Sequence, residues 1–447
     1  MEFKDKKDLL DYARKLEGLS ISEANINNSV SEQDIKYGKN YSGKGKFGQF
    51  IEENYFDKKN DSLSAPDFSE VGVELKVSPL KYLKNGEIRV KERLVLNIIS
   101  YDKLLNDKNF LDSHFIYKNK SILLIFYFYD NKVPLYKLKV NLVDIWELLD
   151  RDFNQIKRDY EYIVEKVENG LAHEISEGDT MYLGACTKGS TQKKSMIKQP
   201  NSKQLARRRA FCFKTSYINT IYKTLVLEKR NRISLENRLI KDSSTNFENY
   251  INNLFKPYLG KTVHELCLLF DCNIKSKSVN ANIARKIIGF NKKNKTFYEF
   301  EAAGIQIKTI RVELNGKIKE HMSFKNIYYT EIINEIWEDS AFYEELVSKF
   351  IFVIFKKNLN NQGYHLDHIN IWNMPQNDID EAKKVWKITK ENIRKGIFDK
   401  FPRASENIVS HVRPKGQSSS DLMETEGFGL QKKYCFWLNK DYIKSQI

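Results

Sequence analysis

The chain has 447 residues, 41% hydrophobic and 13% aromatic, which suits two ordinary buried cores and excludes a disordered chain. A mean hydropathy of -0.56 with 30% charged residues indicates a soluble chain, and no segment approaches the eighteen apolar residues of a membrane-spanning helix. The net charge of +15 and a pI near 9.2 favour a polyanionic partner, nucleic acid before an acidic membrane surface.

The N-terminal MEFKDKKDLL does not read as a signal peptide, and residues 8–16 form a short amphipathic stretch. A Gly- and Lys-rich loop follows at 41–48, with Lys44 and Lys46 placed to clamp a phosphate backbone. Phe47, Ile51 and Tyr55 recur every four residues and predict a helix that also carries Glu52 and Glu53. Next comes a predicted strand at 67–77, with Val71, Val73, Leu75 and Val77 on one face and Glu74 and Lys76 on the other. The apolar run 122–129 is too short to span a bilayer and reads as a central buried strand. Phe153, Ile156, Tyr160, Ile163, Val164 and Val167 mark a long helix that stops at Gly170.

Downstream of this helix lies a basic region containing Lys193, Lys194, Lys198, Lys203 and Arg207, Arg208 and Arg209, a candidate surface for phosphates and base edges. The five cysteines are scattered without a CxxC pair, so core packing in a reducing cytoplasm is expected of them. The charged stretch 227–245 supplies a boundary, giving domains at 1–230 and 231–447.

The second half repeats the order of the first. A short helix at 282–288 precedes 300–312, an apolar strand at 350–355 follows, and a helix at 379–393 with Val385, Ile388 and Ile393 inward stops at Gly396. The segment FCFKTSYI at 211–218 resembles FWLNKDYI at 436–443. Five features in one order point to a duplicated domain.

The first half carries DFSEVGVELK at 67–76: a carboxylate, six residues, a second carboxylate, one residue, then lysine. Cleaving an anionic phosphodiester needs positive charge on its oxygens and an activated water. Carboxylates that hold Mg²⁺ with open positions provide both. Asp67 and Glu74 are the candidate ligands, the carbonyl of Leu75 can add a neutral one, and Lys76 shares the face of Glu74. A charged strand edge gives the same match by chance. Here, however, the two charges interrupt an apolar strand and need partners. In the second half EFEAAGIQIK at 299–308 repeats the segment, with Gln306 in place of Glu74 and no carboxylate equivalent to Glu52 at 281–289. Glu299 could mimic Asp67, and Lys308 could mimic Lys76.

The chain resembles the MutH-like endonucleases, and most of all the two-domain restriction enzymes of that family that cut at GATC. The resemblance rests on G-x-x-G-x-x-I-E at 45–52, GVELK at 72–76, KERLVLNII at 91–99 and SHF…K at 113–118. It continues in YLGACTKG at 182–189, WED at 337–339 and SHVRPK at 410–415. It implies an α/β fold of two tandem restriction-endonuclease-like domains, each a mixed β-sheet flanked by helices. It also implies a catalytic set of Glu52, Asp67, Glu74, Lys76 and Lys118, with Lys120 as a registry alternative to Lys118. Asp67, Glu74 and Glu52 would hold Mg²⁺.

The implied activity is hydrolysis of double-stranded DNA before the G of GATC, leaving 5′-phosphate ends. A methyltransferase acting on the same sequence would protect it. The second domain, with Arg413 and the loop 414–420 as its candidate surface, would bind a second site. The competing readings are a mismatch-repair nicking endonuclease, which the additional domain argues against, and a non-catalytic DNA-binding protein, which the intact carboxylates argue against.

Overall fold

The computed structural model describes residues 2–24, 45–58, 64–83, 85–107, 109–148, 150–189, 195–229, 237–359, 363–416, 418 and 420–447. Lys44, Lys193 and Lys194 lie outside the described residues, as do residues 230–236 within the expected boundary. The chain divides into two compact units, the first comprising residues 1–173 and 182–235, the second residues 174–181 and 236–447.

In the first unit β1 (Glu74–Tyr82), β2 (Ile88–Val90), β4 (Ser121–Phe128) and β5 (Val140–Glu147) form a mixed sheet in the order β2-β1-β4-β5. β1 runs parallel to β4, with Glu74 opposite Ile122 and Lys76 opposite Leu124, while β5 runs antiparallel to β4. β4 is buried from Ser121 to Tyr127, as its unbroken apolar run predicts for a central strand. Helices α1 (Lys6–Ala13) and α2 (Lys46–Asn54) cover this sheet. α2 buries Phe47, Phe50 and Ile51 at helical spacing against Phe68, Val73 and Leu75.

A second, antiparallel sheet has the order β3-β9-β6, from β3 (Leu94–Ile99), β6 (Leu183–Thr187) and β9 (Arg209–Phe213). Strands β7 (Met196–Gln199) and β8 (Ser202–Arg207) pair as a separate hairpin. Helix α3 (His114–Asn119) leads into β4, and its N-cap Ser113 accepts the Ile116 N–H. The long α4 (Asp150–Glu168) buries Ile156, Tyr160, Ile163 and Val167, and its Asp159 accepts the N–H groups of Tyr182 and Leu183 at 2.7 and 2.9 Å, fixing the start of β6. Gly170 ends the chain's run from α4 at φ +70, where a Cβ would lie 2.5 Å from the Asn201 carbonyl oxygen, so only glycine fits. Helix α5 (Thr215–Lys229) follows β9.

The second unit repeats this plan. β10 (Gln306–Val312) runs parallel to β12 (Phe350–Lys357), which pairs antiparallel with β13 (Tyr364–Trp372). β11 (Met322–Asn326), β14 (Ser410–Pro414) and β17 (Tyr434–Leu438) form a sheet in the order β11-β17-β14, and β15 (Leu422–Glu424) pairs with β16 (Leu430–Lys432). Its helices include α6 (Val279–Ile288), α7 (Tyr298–Ala303), α8 (Ala341–Leu346) and α9 (Gln376–Arg394). The pairings β1-β4-β5 and β3-β9-β6 recur as β10-β12-β13 and β11-β17-β14, which supports the duplication, while β2 has no paired counterpart among the described strands.

Several expectations are corrected. Residues 67–73 form a turn, and the strand starts at Glu74, so Val71 belongs to no strand face. Ile388 is exposed, and α9 turns Ala382, Val385, Trp386 and Thr389 inward instead. The segment 174–181, expected with the first half, belongs to the second unit. There Ser176 Oγ donates to the Met374 carbonyl (2.9 Å), and Glu177 and Asp179 accept from Tyr343 (2.8 Å) and Asn373 (2.5 Å).

Candidate active site

The spacing of the 67–76 motif becomes geometry through one tight turn. Phe68 and Val73 exchange backbone hydrogen bonds of 2.8 and 3.1 Å, and Gly72 supplies the positive φ of +66 that closes the turn. Asp67 is thereby brought back beside the start of β1. Its Oδ2 accepts the Leu75 N–H at 2.8 Å, and its own N–H points to Glu74 Oε2 at 3.2 Å. A shorter or longer turn would part the two carboxylates.

Glu74 is 2% exposed, and an isolated carboxylate there would cost several kcal/mol. Lys76 donates to its Oε1, and Lys118 on α3 lies 3.6 Å from the same oxygen. Lys76 also reaches the Leu75 carbonyl at 3.1 Å. Burial raises the Glu74 carboxyl above its ordinary range, against the pull of Lys76. Glu52 on α2 feels the same centre. Burial, reinforced by the charge of Asp67, pushes it up to about 7. Five of the expected residues, Glu52, Asp67, Glu74, Lys76 and Lys118, are thus brought into one electrostatic neighbourhood. The exposed Lys120 caps the far end of α3.

Sequence reasoning missed Lys58. Its backbone N–H binds the Glu52 carbonyl (2.9 Å), its ammonium donates to the Asp67 carbonyl, and it lies 4.4 Å over the Phe68 ring. It ties the end of the helix to the motif turn. A lysine between two acidic motifs gives no periodic signal of that role.

The donor set is oxygen only: the carboxylates of Asp67 and Glu74 and the Leu75 carbonyl. It fits a hard divalent cation such as Mg²⁺ and offers nothing to a thiophilic metal. Among the described residues, no three His, Cys, Asp or Glu side chains form a ready-made cage. The Lys76 ammonium supplies the countercharge to Glu74 in this arrangement.

The remaining candidates disperse. Lys46 is half-buried at the first position of α2. Lys198, Lys203 and Arg208 are exposed on or beside the β7–β8 hairpin, and Arg207 is half-buried. Arg209 is a correction. It is fully buried, and its Nη1 donates to the Ala185 carbonyl at 2.6 Å, so it holds β9 to β6 and presents no charge to DNA. Arg413 is exposed on β14, 5.7 Å from the Trp437 ring.

In the second unit the motif keeps its glycine and its strand, and its charged groups differ. Gly304 repeats the positive φ of Gly72 at +64, and Ile305 donates to Phe300 as Val73 does to Phe68. The segment before it, however, is helical. Glu299 accepts the N–H groups of Leu239 and Ile240 at 3.0 and 3.1 Å, which corrects the expectation that it mimics Asp67. Gln306 donates to the Glu345 carbonyl at 3.2 Å.

The comparisons agree with this duplication. The family described as DNA mismatch repair enzyme MutH matches residues 56–159 and 288–384, once in each half. The chain is 33% identical to the type II restriction enzyme Sau3AI of Staphylococcus aureus over 489 aligned positions, which span 97% of this chain and 96% of that enzyme. The chain belongs to the MutH-related type II restriction endonucleases. As a member of this family it has two tandem α/β domains of the MutH type, and no helix among its described residues is long and apolar enough to cross a membrane.

Proposed function

We propose that the protein hydrolyses double-stranded DNA before the G of GATC in a Mg²⁺-dependent reaction that leaves 5′-phosphate ends. The domain up to about residue 230 cuts, and the domain after it binds a second copy of the site. The observation that carries this reading is Glu74, buried beside Asp67 and between Lys76 and Lys118, set against Gln306 at the matching position of the second unit.

Asp67 and Glu74, with the Leu75 carbonyl and Glu52, would hold Mg²⁺, which would supply positive charge to the phosphate oxygens and lower the pKa of a water molecule. The protein's own part is positioning. β1 fixes Glu74 on rigid backbone, and the Leu75 N–H holds the Asp67 carboxylate in one orientation. Lys76 and Lys118 place two ammonium groups where negative charge develops on the phosphate, and Lys76 is placed to orient the attacking water. Exposed lysines and arginines of the β7–β8 hairpin, Lys46 and Arg413 add phosphate contacts, and Lys44, Lys193 and Lys194 are further candidates from the sequence. Methylation of GATC by a partner methyltransferase protects the site.

The test is digestion of two plasmids in Mg²⁺, one with many unmethylated GATC sites and one with none. Cutting of the first alone, with ends mapping before the G, is the expected result. Cutting of both overturns the specificity. Nicks without double-strand breaks favour the repair-type reading.

A further inference from the structure

Strand register makes the two units comparable residue by residue. Glu74 and Lys76 lie opposite Ile122 and Leu124, as Gln306 and Lys308 lie opposite Phe350 and Phe352. The β3–β9 and β11–β17 pairs break register at the same place, between Val95 and Ile98 and between Ser323 and Asn326, which makes Lys325 the counterpart of Asn97. Beyond β6 and β14, Lys188 donates its N–H to the Arg208 carbonyl (2.8 Å) and Lys415 donates to that of Lys433 (2.9 Å), so these two lysines correspond. Ser113 and Ser340 cap their helices in the same way, and five residues after each stand Lys118 and Glu345.

These equivalences expose a charge exchange. The second unit has lost the carboxylate on its strand and replaced the helix lysine with a carboxylate. Around that carboxylate it gathers three lysines. Lys308 donates to the Ser323 carbonyl at 3.4 Å, Lys415 donates to the carbonyl of Phe324, and the Lys325 ammonium is 3.6 Å from Glu345 Oε1. The Lys325 N–H also reaches Glu345 Oε2 at 3.3 Å. Burial lowers the Lys308 ammonium below its ordinary value, and the charges of Lys415 and Lys325 push the same way, against Glu345. The Lys325 side chain is 74% exposed, so the cluster opens to solvent. With β10 offering an amide, one carboxylate faces three ammonium groups, and the excess of positive charge calls for an anion.

We propose that Lys308, Lys325 and Lys415 form a site for a backbone phosphate of duplex DNA in the second unit, with Glu345 as the internal countercharge that weakens it. This rests on the reading that the second domain binds a DNA site. A phosphodiester carries one negative charge, so it fits the cation excess without a metal. Its oxygens would take over the ammonium hydrogen bonds now made to carbonyls and the ion pair now made to Glu345. Glu345 limits affinity, which suits a site that must release DNA.

The experiment uses the full chain carrying Glu74→Gln, titrated calorimetrically with a short GATC duplex at several salt concentrations. Two duplexes per chain are expected. Lys325→Ala and Lys415→Ala should each weaken one of the two events about tenfold and lower its salt slope by about one, with the other event unchanged. Glu345→Gln, nearly isosteric, should tighten that same event severalfold, a gain no folding defect produces. One duplex per chain in the Glu74→Gln protein would sink the second-site reading and this proposal together. Two duplexes, with neither affinity moved by the lysine changes or with Glu345→Gln weakening binding, would overturn the phosphate site alone.

Discussion

Residues 67–76 and 299–308 share a backbone: a glycine at positive φ, then a strand running parallel to the apolar strand of its own sheet. In the first, Asp67 is locked to the Leu75 N–H and Glu74 is buried between lysines. In the second, Glu299 is turned to the backbone at Leu239 and Ile240, Gln306 is neutral, and a carboxylate stands on the helix at Glu345. The comparison teaches that one strand pairing can carry two arrangements of charge, with the segment before the glycine a turn in one unit and a helix in the other.

The largest effect expected from breaking this contrast is at Asp67. Asp67→Asn should reduce cleavage of GATC plasmid at least about 1,000-fold with thermal unfolding nearly unchanged, measured by gel digestion beside a melting curve. Full activity in that variant would remove Asp67 from the site. The reverse change, Gln306→Glu, should give no cutting that survives Asp67→Ala, because it leaves the second unit without a counterpart of Asp67 or Glu52 and sets a new carboxylate close to Glu345. Lys118 on α3 and Lys120 at its C-cap sharpen the assignment. Lys118→Met should slow single-turnover cleavage about 100-fold, whereas Lys120→Met should stay within about threefold.

Arg209 and Arg208 separate structure from binding. Arg209→Met should destabilise the first unit by about 2–4 kcal/mol in a urea titration, since it leaves the Ala185 carbonyl without its buried donor. Arg208→Ala should leave stability within about 0.5 kcal/mol and lower the salt slope of DNA binding by about one. The last effect is one of pH. Burial depresses His411 from its ordinary value to about 4, so the folded chain keeps it neutral where the unfolded chain protonates it. Stability from this group is present above about pH 6.5 and is lost as pH falls towards 4, a loss on the order of 3 kcal/mol. Urea titrations from pH 7 to 4 should show the decline, and His411→Gln should flatten it.

The sequence made the core legible wherever burial imposes a pattern. The run at 122–129 reads as a central strand because both its faces are covered, and the helix ending at Gly170 reads from its apolar stripe. The motif residues were legible because charges on an apolar strand demand partners. What escaped depends on pairing between distant segments. Lys58 reaching back to Asp67, Arg209 turning inward to Ala185, and Glu345 replacing a lysine are set by packing and strand register. Glu299 matched Asp67 in spacing, yet the segment before Gly304 became helical and aimed its carboxylate elsewhere.

The central claim is that one domain cuts and the other does not. Supercoiled plasmid with many GATC sites, incubated in Mg²⁺ with the Glu74→Gln chain, tests it most directly because Glu74→Gln gives the first unit the residue found at Gln306. The account predicts neither nicked nor linear product under conditions in which the unaltered chain digests the plasmid fully. Nicking at GATC by the Glu74→Gln protein would contradict it, since cleavage would then come from a site that does not need Glu74.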